Sequence, residues 1–269
     1  MVETLKIKSL KLKDIVIKEG EVTLKIIIKK NSQLITENRD DFDYYAPIED
    51  LEQYSEKMLF ELQECVDFSE ESRDPSKDNN NSFLYVEISA IDSENGEITN
   101  VEEIPCDEEY VPSRARKVIH QNNIIISTVR PTRKAIAIIG EKLENQICST
   151  GFCVIQPKKG IDLHYLHYIL RSDLVLKQFK RFQSGSSYPA ILKDHIQKTI
   201  IPLPEYHIQQ NIGSQWMERM KQIKDIRLKI IKENELFIEK INNVIKKSDP
   251  IAVISEPQKK INDFVKKNG

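Results

Sequence analysis

Residues 200–204 read Ile200-Ile201-Pro202-Leu203-Pro204, and they separate two kinds of sequence. Before them stand the small-residue stretch Ser184-Gly185-Ser186-Ser187-Tyr188-Pro189 and a short helical stretch, Ile191-Leu192-Lys193-Asp194. The apolar run predicts a strand, and the two prolines predict where it ends. A continuous helical pattern from Glu205 to Lys247 follows. This order predicts a compact domain joined to one long helix.

The long helix carries apolar residues at heptad spacing. A first stripe recurs every seven residues, and it consists of Trp216, Ile223, Ile230, Phe237 and Val244. A second stripe is half polar, and it consists of Met220, Arg227, Asn234 and Ile241. Sustained heptads with polar positions are typical of a coiled coil with a fixed register. A helix of roughly 60 Å has no equally long helical partner in the sequence, so we predict that these nine residues form a dimerisation surface with another chain.

Composition indicates a globular protein of the cytoplasm. Hydrophobic residues make up 39% and charged residues 30% of the 269-residue chain. No apolar run approaches the ~20 residues of a membrane span, so we expect no membrane partner. The four cysteines are sparse for this length, which favours a reducing compartment.

The net charge of −2 hides a strong asymmetry along the chain. Residues 40–75 hold 13 acidic and 2 basic residues, and residues 76–110 hold 10 and 1. Residues 111–200 hold 15 basic and 5 acidic residues. A basic block of this kind is the expected footprint of a phosphate-binding surface.

Strands and helices intermix without regular alternation, which predicts an α+β fold. A β hairpin is predicted over 4–30, a turn-rich loop over 70–82 and helices over 51–68 and 165–182. Further strands are predicted over 83–90, 91–98, 123–129, 134–139 and 152–156.

The common enzymatic signatures are absent from the sequence. No two glycines stand one residue apart, so there is no G-x-G nucleotide loop, and G-K-[ST], G-x-S-x-G and Asp/Glu-x-Lys motifs are missing. The serines of the 184–187 stretch have no His/Asp partners that the sequence identifies, so a nucleophilic role is disfavoured. We predict no catalytic residues and no cofactor.

Cys148 and Cys153, followed by His164 and His167, raise the question of a metal site. Their spacings lie at the edge of zinc-site spacing or outside it. Buried thiols and surface histidines are the favoured interpretation, and we predict no metal.

Basic residues of the central block are the candidate DNA contacts. Arginine reads guanine in bidentate fashion and lysine neutralises phosphate, while hydroxyls bond phosphates and a tyrosine can stack on a base. The predicted DNA-binding residues are Arg114, Arg116, Lys117, Arg130, Arg133, Lys134, Lys180, Arg181, Ser186, Ser187 and Tyr188. A solvated surface role is the competing interpretation for each member alone.

Five segments in order resemble the specificity subunits of type I restriction–modification enzymes. They are the strand segment from Phe83 to Asp92 with Gly96-Glu97-Ile98, Asn123 to Arg130 ("D-I-L-I-S-T-x-R"), Ser149 to Ile155 ("S-T-G-F-x-V-L"), Tyr165 to Ser172 ("Y-L-x-Y-x-L-x-S") and Ile201-Pro202-Leu203-Pro204 with Gln209/Gln210 ("I-P-L-P-x-x-E-Q"). Residues 1–45 have no counterpart in this pattern, and Glu205-Tyr206-His207 lacks the usual second proline.

The resemblance implies a half-sized specificity subunit with one target-recognition domain. It divides the chain into a β-rich extension (1–45), a DNA-binding domain (46–204), a spacer and dimerisation helix (205–247) and a tail (248–269). The implied partners are double-stranded DNA, adenine N6-methyltransferase (modification) subunits, the restriction subunit, and a second copy or a complementing half-subunit. The chain itself would be non-catalytic. The alternative hypothesis is a coiled-coil adaptor that keeps the fold without base-specific DNA reading.

Overall fold

The computed structural model describes residues 15–19, 22–26, 49–78, 80–107, 109–183 and 189–247. These residues fall into two compact units, one that ends at Met217 and one that begins at Glu218. Within the described residues, none of the helices combines the length and apolar character that crossing a membrane requires.

Twelve strands are described. They are β1 Ile15–Glu19, β2 Val22–Ile26, β3 Leu59–Glu61, β4 Val66–Ser69, β5 Ser82–Val86, β6 Glu102–Pro105, β7 Ala115–Ile119, β8 Ile124–Ser127, β9 Ile136–Ile138, β10 Gln146–Ser149, β11 Phe152–Pro157 and β12 Ile200–Pro202. The α-helices are α1 Leu62–Cys65, α2 Leu163–Leu170, α3 Asp173–Phe182, α4 Lys193–Gln197 and α5 Tyr206–Lys247. The predicted α+β class is confirmed.

Two four-stranded sheets form the centre of the first unit. One has the order β6-β5-β10-β7, with β5 and β10 parallel and the other pairs antiparallel. The other has the order β4-β11-β8-β9 and is antiparallel throughout. The pairs β1–β2 and β12–β3 form separate two-stranded sheets.

Strand alternation explains how the layers pack. Along β8, Ile124 and Ile126 lie in the core shared with helices α2 and α3, whereas Ile125 lies in the core shared with the other sheet. β11 repeats the pattern, since Ile155 faces the helices and Val154 faces the second sheet. Successive strand residues point to opposite faces, so the inner strands β8 and β11 are covered on both sides, and residues 124–126 and 152–155 are continuously apolar.

The predicted helix over 51–68 is wrong. This segment instead contains β3, the four-residue helix α1 and β4. β3 pairs with β12, and β4 pairs with β11. Long-range strand pairing therefore overrides a local apolar spacing that resembled a helical one.

The predicted helix over 165–182 is two helices. α2 ends at Leu170, Ser172 is the N-cap of α3, and the Ser172 hydroxyl donates to the carbonyl of Ile169 at 2.6 Å. A serine followed by an acidic residue is a helix-start signal, so the break at Ser172-Asp173 was visible in the sequence. Similarly, the strand predicted over 83–90 ends at Val86, and a 3-10 turn over Ile88–Ala90 follows it.

Other predicted elements agree with the structure. The hairpin prediction is confirmed for β1 and β2, which pair antiparallel, and its part before residue 15 lies outside the described residues. The strands predicted over 123–129, 134–139 and 152–156 correspond to β8, β9 and β11, and the Ile200 strand is β12. The strand and tight turn predicted over 91–98 are an isolated bridge between Ile91 and Ile98.

The first turns of α5 are anchored on the domain. Gln209 is buried, its amide nitrogen donates to the carbonyl of Pro204 at 2.8 Å, and its amide oxygen accepts from the N–H of Asp162 at 3.0 Å. One turn later, Gly213 lies so close to the start of α2 that an added Cβ would be 2.4 Å from an Asp162 carboxylate oxygen. A glycine is therefore required there for the two helices to approach.

Candidate nucleic-acid interface

The basic segment Arg130–Lys134 forms a tight turn between β8 and β9. Residues Pro131–Arg133 make one 3-10 turn, and both flanking residues have left-handed backbones, with φ of 48° at Arg130 and 61° at Lys134. Non-glycine residues rarely adopt this conformation and do so at a cost of order 1–3 kcal/mol. Two such residues around one turn indicate that the surrounding structure holds the turn in place.

Contacts from three segments hold this turn. The Ser127 hydroxyl donates to the carbonyl of Val129 at 2.7 Å, and the Thr128 hydroxyl donates to the carbonyl of Gly151 at 2.9 Å. The N–H of Arg130 donates to the carbonyl of Pro189 at 2.7 Å. The Ser-Thr pair before the arginine therefore shapes the chain locally, and this explains its place in the resemblance motif.

A cleft of about 640 Å³ opens beside the turn. One wall comes from the segment after β5 and contains Ile88, Ser89, Ile91 and Ser93. The other wall comes from the turn itself and contains Val129, Arg130, Arg133 and Ala135. Two guanidinium groups and two hydroxyls over an apolar floor can bind an electron-rich base edge and contact a thymine methyl group.

Arg171, at the end of α2, lies behind the cleft with 4% of its surface exposed. Its Nη1 donates to the carbonyls of Lys134 (2.6 Å) and Ile136 (3.1 Å), and its Nη2 donates to the carbonyl of Ser93 at 3.0 Å. Burial lowers the pKa of the guanidinium to about 10, so Arg171 remains charged at neutral pH.

His167 lies one turn before Arg171 and connects this region to α5. Its Nε2 is 3.1 Å from the carbonyl oxygen of Ile136, and the indole Nε1 of Trp216 is 3.1 Å from its Nδ1. Burial, together with the charge of Arg171, lowers the pKa of His167 to about 3. An indole N–H can only donate, so Nδ1 is the acceptor, and the proton of the neutral ring is on Nε2 and donates to Ile136.

The other predicted basic residues differ in whether their side chains are bonded within the domain or exposed. The Lys117 amine donates to the carbonyl of Phe152 at 2.7 Å, and the Arg116 guanidinium donates to two carbonyls of its own segment and lies 3.6 Å from an Asp74 carboxylate oxygen. The Lys134 amine lies 3.6 Å from an Asp173 carboxylate oxygen, whereas Arg114 is exposed. The structure thus brings Arg130 and Arg133 together at the cleft and ties the side chains of Arg116 and Lys117 to their own surroundings.

Lys180 and Arg181 lie in the last turn of α3, the helix that packs against the Pro131–Arg133 turn. The Gln183 amide after that helix is 3.4 Å from the Thr132 hydroxyl. Ser186, Ser187 and Tyr188 lie outside the described residues, so their predicted role remains a prediction.

The cysteines and histidines behave differently from one another. Cys148 and Cys153 are buried thiols, as expected, and burial raises the pKa of Cys148 to about 12 and that of Cys153 to about 11. The prediction that both histidines lie on the surface is wrong for His167, which is 5% exposed. Both of its ring nitrogens are hydrogen-bonded, and in the described part of the chain no group of three or more His, Cys, Asp or Glu side chains is arranged to hold a metal.

The predicted dimerisation residues span both compact units. Trp216 packs within the first unit, since its ring is 5.3 Å from that of Tyr168, and it donates to His167. Met220, Ile223 and Arg227 are half-buried, and Asn234 is exposed. The exposed apolar members are Ile230 (51%), Phe237 (62%), Ile241 (43%) and Val244 (63%).

Residues 54–247 match the family described as "Type I restriction modification DNA specificity domain". The chain belongs to this family. The matched residues contain one recognition domain followed by the long helix, and the resemblance read from the five motifs is confirmed.

Individual relatives agree with the family assignment. The chain is 29% identical over 136 residues to the type I restriction enzyme HindI specificity subunit of Haemophilus influenzae; this alignment covers 49% of the chain and 26% of that subunit. It is similar to the HsdS subunit from Thermoanaerobacter tengcongensis, with 35% identity, a TM-score of 0.54 and coverage of 72% of the chain and 51% of that subunit. A chain from a structural study of complex assembly and conformational transition of the type I R-M system gives 34% identity and a TM-score of 0.56, with the same coverages. The alignments thus span about half the length of the similar structures.

Sequence reasoning missed Arg171 and did not give His167 a structural role. No signal in the sequence marked Arg171, because Arg171, Ser172 and Asp173 together form the polar break between Leu170 and Leu174. Which carbonyls Arg171 meets depends on residues 93 and 134, which are distant in the sequence.

Proposed function

We propose that this chain is a sequence-specific DNA-binding subunit of a type I restriction–modification system, in which its single recognition domain reads one half of a two-part site. The family match over residues 54–247 carries the proposal. The chain would contribute recognition and no catalysis, and it would act on DNA in the cytoplasm.

The cleft is the proposed reading surface. Arg133 is exposed on a turn whose backbone is fixed from several sides, and a fixed backbone lets a long side chain be aimed at one base. Arginine bound to guanine O6 and N7 is the commonest specific contact in the major groove. Lys180 and Arg181 at the end of α3, together with Arg114, would neutralise phosphates, a role that requires charge rather than exact geometry.

The second compact unit supports the proposed pairing. Its helical residues from Glu218 to Lys247 expose apolar side chains at heptad spacing, among them Ile230, Phe237 and Val244. Exposed apolar stripes of this kind are covered by a partner helix in coiled coils. We propose that the two stripes pair with a second copy or a complementing half-subunit, and that the paired helices dock the adenine N6-methyltransferase and restriction subunits.

The proposed domain organisation follows the same division of roles. Residues 46–204 would form the recognition domain and 205–247 the spacer helix, preceded by a β-rich extension (1–45) and followed by a tail (248–269). Gln209 and Gly213, near the start of this helix, pack against the N-terminal end of α2.

Charge reversal at the cleft tests the DNA-reading role. We expect Arg133→Glu to weaken duplex binding at least tenfold, because a specific arginine–base contact is worth about 1–3 kcal/mol and the new carboxylate repels phosphate. Lys142→Glu is the matched control, since Lys142 is exposed on the turn over residues 141–143. Fluorescence anisotropy with duplex DNA at several salt concentrations measures both variants.

An equal loss of DNA affinity in Arg133→Glu and Lys142→Glu would mean that binding depends only on the overall charge of the chain. Full retention of DNA affinity in Arg133→Glu and in the triple reversal of Arg130, Arg133 and Lys134 would instead favour the adaptor hypothesis. One observation favours that hypothesis, namely that the side chains of Arg116 and Lys117 are bonded within their own domain.

Co-expression with a modification subunit tests the assembly. We expect a stable complex whose methylation sites, mapped on genomic DNA, share one sequence. A homodimer predicts a palindromic split site, whereas a complementing half-subunit predicts two unlike halves. A strictly monomeric chain at micromolar concentration that binds no modification subunit would contradict the proposal.

A further inference from the structure

Arg171 joins the two walls of the cleft from behind. Its Nη2 donates to the carbonyl of Ser93 in one wall, and its Nη1 donates to that of Lys134, which follows Arg133 of the other wall. These wall segments are about forty residues apart in the sequence. One rigid, planar guanidinium group therefore bridges the two walls, with Nη1 donating to one and Nη2 to the other.

Arg171 is a buried cation that bonds to the backbone. The acceptors of its hydrogen bonds are backbone carbonyls, and its Nε has no acceptor among the described residues. Burying a charge is costly, and removal of this guanidinium would also take away a donor from the carbonyls of Ser93 and Lys134. A buried cation bonded to the backbone of both walls fits a role in fixing one geometry of the cleft.

Arg171 and the neighbouring His167 belong to a series of contacts that reaches the long helix. His167 and Arg171 lie on one face of α2, and both reach the carbonyl of Ile136. Gly96 closes the other side, because an added Cβ would be 2.6 Å from that carbonyl oxygen and 2.8 Å from atoms of both side chains. From His167 the path continues to the indole of Trp216 in α5. A contiguous, tightly packed chain of contacts thus runs from the cleft wall to the first turns of α5.

We propose that Arg171 and His167 are positioning residues, which fix the two walls of the cleft and couple the entry of a DNA base edge to Trp216 and the first turns of the long helix. This inference rests on the proposed DNA-reading function of the cleft. Coupling of this kind is reciprocal, so a change at Trp216 would also affect discrimination between sequences.

The first test measures discrimination. The full chain, co-expressed with its modification subunit, is used to enrich duplexes from a random-sequence pool, and affinity for the enriched duplex is compared with that for a scrambled one. We expect Arg171→Met to reduce this ratio at least tenfold, and Arg171→Lys to reduce it as well, because one ammonium group cannot span both walls. The salt dependence of binding should not change, since Arg171 is too buried to touch phosphate. Lys142→Met is the control for loss of a positive charge.

The second test uses a spectroscopic signal that a purely structural role would not affect. Trp216 is the only tryptophan of the chain, so its emission reports on the His167 contact. We expect the enriched duplex to shift the emission of the wild-type chain more than the scrambled duplex does. In His167→Gln an amide N–H can still donate to Ile136, but the acceptor for Trp216 is lost. We expect this variant to lose the shift and to reduce discrimination less than Arg171→Met does.

The outcomes separate this inference from the proposed function. A wild-type chain that enriches no sequence overturns the proposed function and this inference with it. If the wild-type chain enriches a sequence but folded Arg171→Met discriminates as well as wild type, only the positioning role is overturned. Arg171→Lys decides the question in the same way if Arg171→Met does not fold. Failure of both Arg171 variants to fold also overturns it, because the guanidinium would then be needed for the fold itself. An emission that responds equally to both duplexes overturns the coupling to the helix.

Discussion

The helices before Met217 and the helical residues after it both carry apolar side chains at helical spacing. Those side chains are buried in the first region and exposed in the second. In α2 and α3, Leu166, Leu170, Val175 and Phe179 are fully buried within the chain. In α5 beyond Met217, Ile230, Phe237 and Val244 are more than half exposed. Helical periodicity alone therefore indicates an apolar face, and only the neighbouring elements show whether the same chain covers it.

The largest predicted change is in self-association through the exposed stripes of the long helix. We expect Phe237→Asp to weaken self-association by roughly a thousandfold, because each copy loses about 2 kcal/mol of apolar burial and tenfold in affinity corresponds to about 1.4 kcal/mol. Sedimentation over a range of protein concentrations measures the change. Domain unfolding, followed by urea titration, should not change.

Leu236→Asp is the matched control for that variant. Leu236 is 50% exposed and lies next to Phe237 but outside both stripes, so it places the same charge on the wrong face of the helix. If both variants dissociate equally, the stripes do not define the interface.

The next largest predicted change is in the stability of the domain core. Leu166 is fully buried in the core between the helices and the β4-β11-β8-β9 sheet. We expect Leu166→Ala to lower the free energy of unfolding by about 3 kcal/mol, the usual cost of a cavity of this kind. The loss should be the same at every protein concentration, since the chain covers this residue itself. Leu192→Ala, at a residue that is 67% exposed, should change the free energy by less than about 0.5 kcal/mol; a comparable loss there would contradict the assigned core.

The smallest expected effect concerns His120 at the edge of the domain. Its Nδ1 is 2.7 Å from a Glu144 carboxylate oxygen and its Nε2 is 2.9 Å from one of Glu71. The hydrogen bonds that the His120 ring donates to the carboxylates of Glu144 and Glu71 raise the pKa of His120, so the protonated ring stabilises the fold. This stabilisation is complete below the unfolded pKa of about 6.5 and is lost as pH rises through the raised folded pKa.

Urea unfolding between pH 6 and 9 measures the effect of His120. We expect a decline of less than about 1 kcal/mol, the range of exposed ion pairs. The His120→Gln variant should remove that decline. A decline that persists in His120→Gln would assign the pH dependence to another group.

How well the fold could be predicted depended on whether the signal was local. The strands around Ile125 and Val154 and the helix from Tyr206 were predictable because the apolar pattern and turn residues are contained in each segment. The structure of residues 59–69 was not predictable from the sequence, because the strands β3 and β4 form only by pairing with β12 and β11. For the candidate site, the sequence predicted the Arg130–Lys134 turn between two strands but could not indicate which basic side chains are bonded internally.

Motif order, composition and periodicity are properties of the chain in one dimension. They were therefore sufficient to predict the family, the α+β class, the asymmetry of charge and the heptad pattern of the long helix. The three-dimensional packing was needed to show that Arg130 and Arg133 share a cleft, that Arg171 joins its two walls and that His167 is neutral. Those facts depend on distances between residues that are far apart in the sequence, and on the loss of water around a buried side chain.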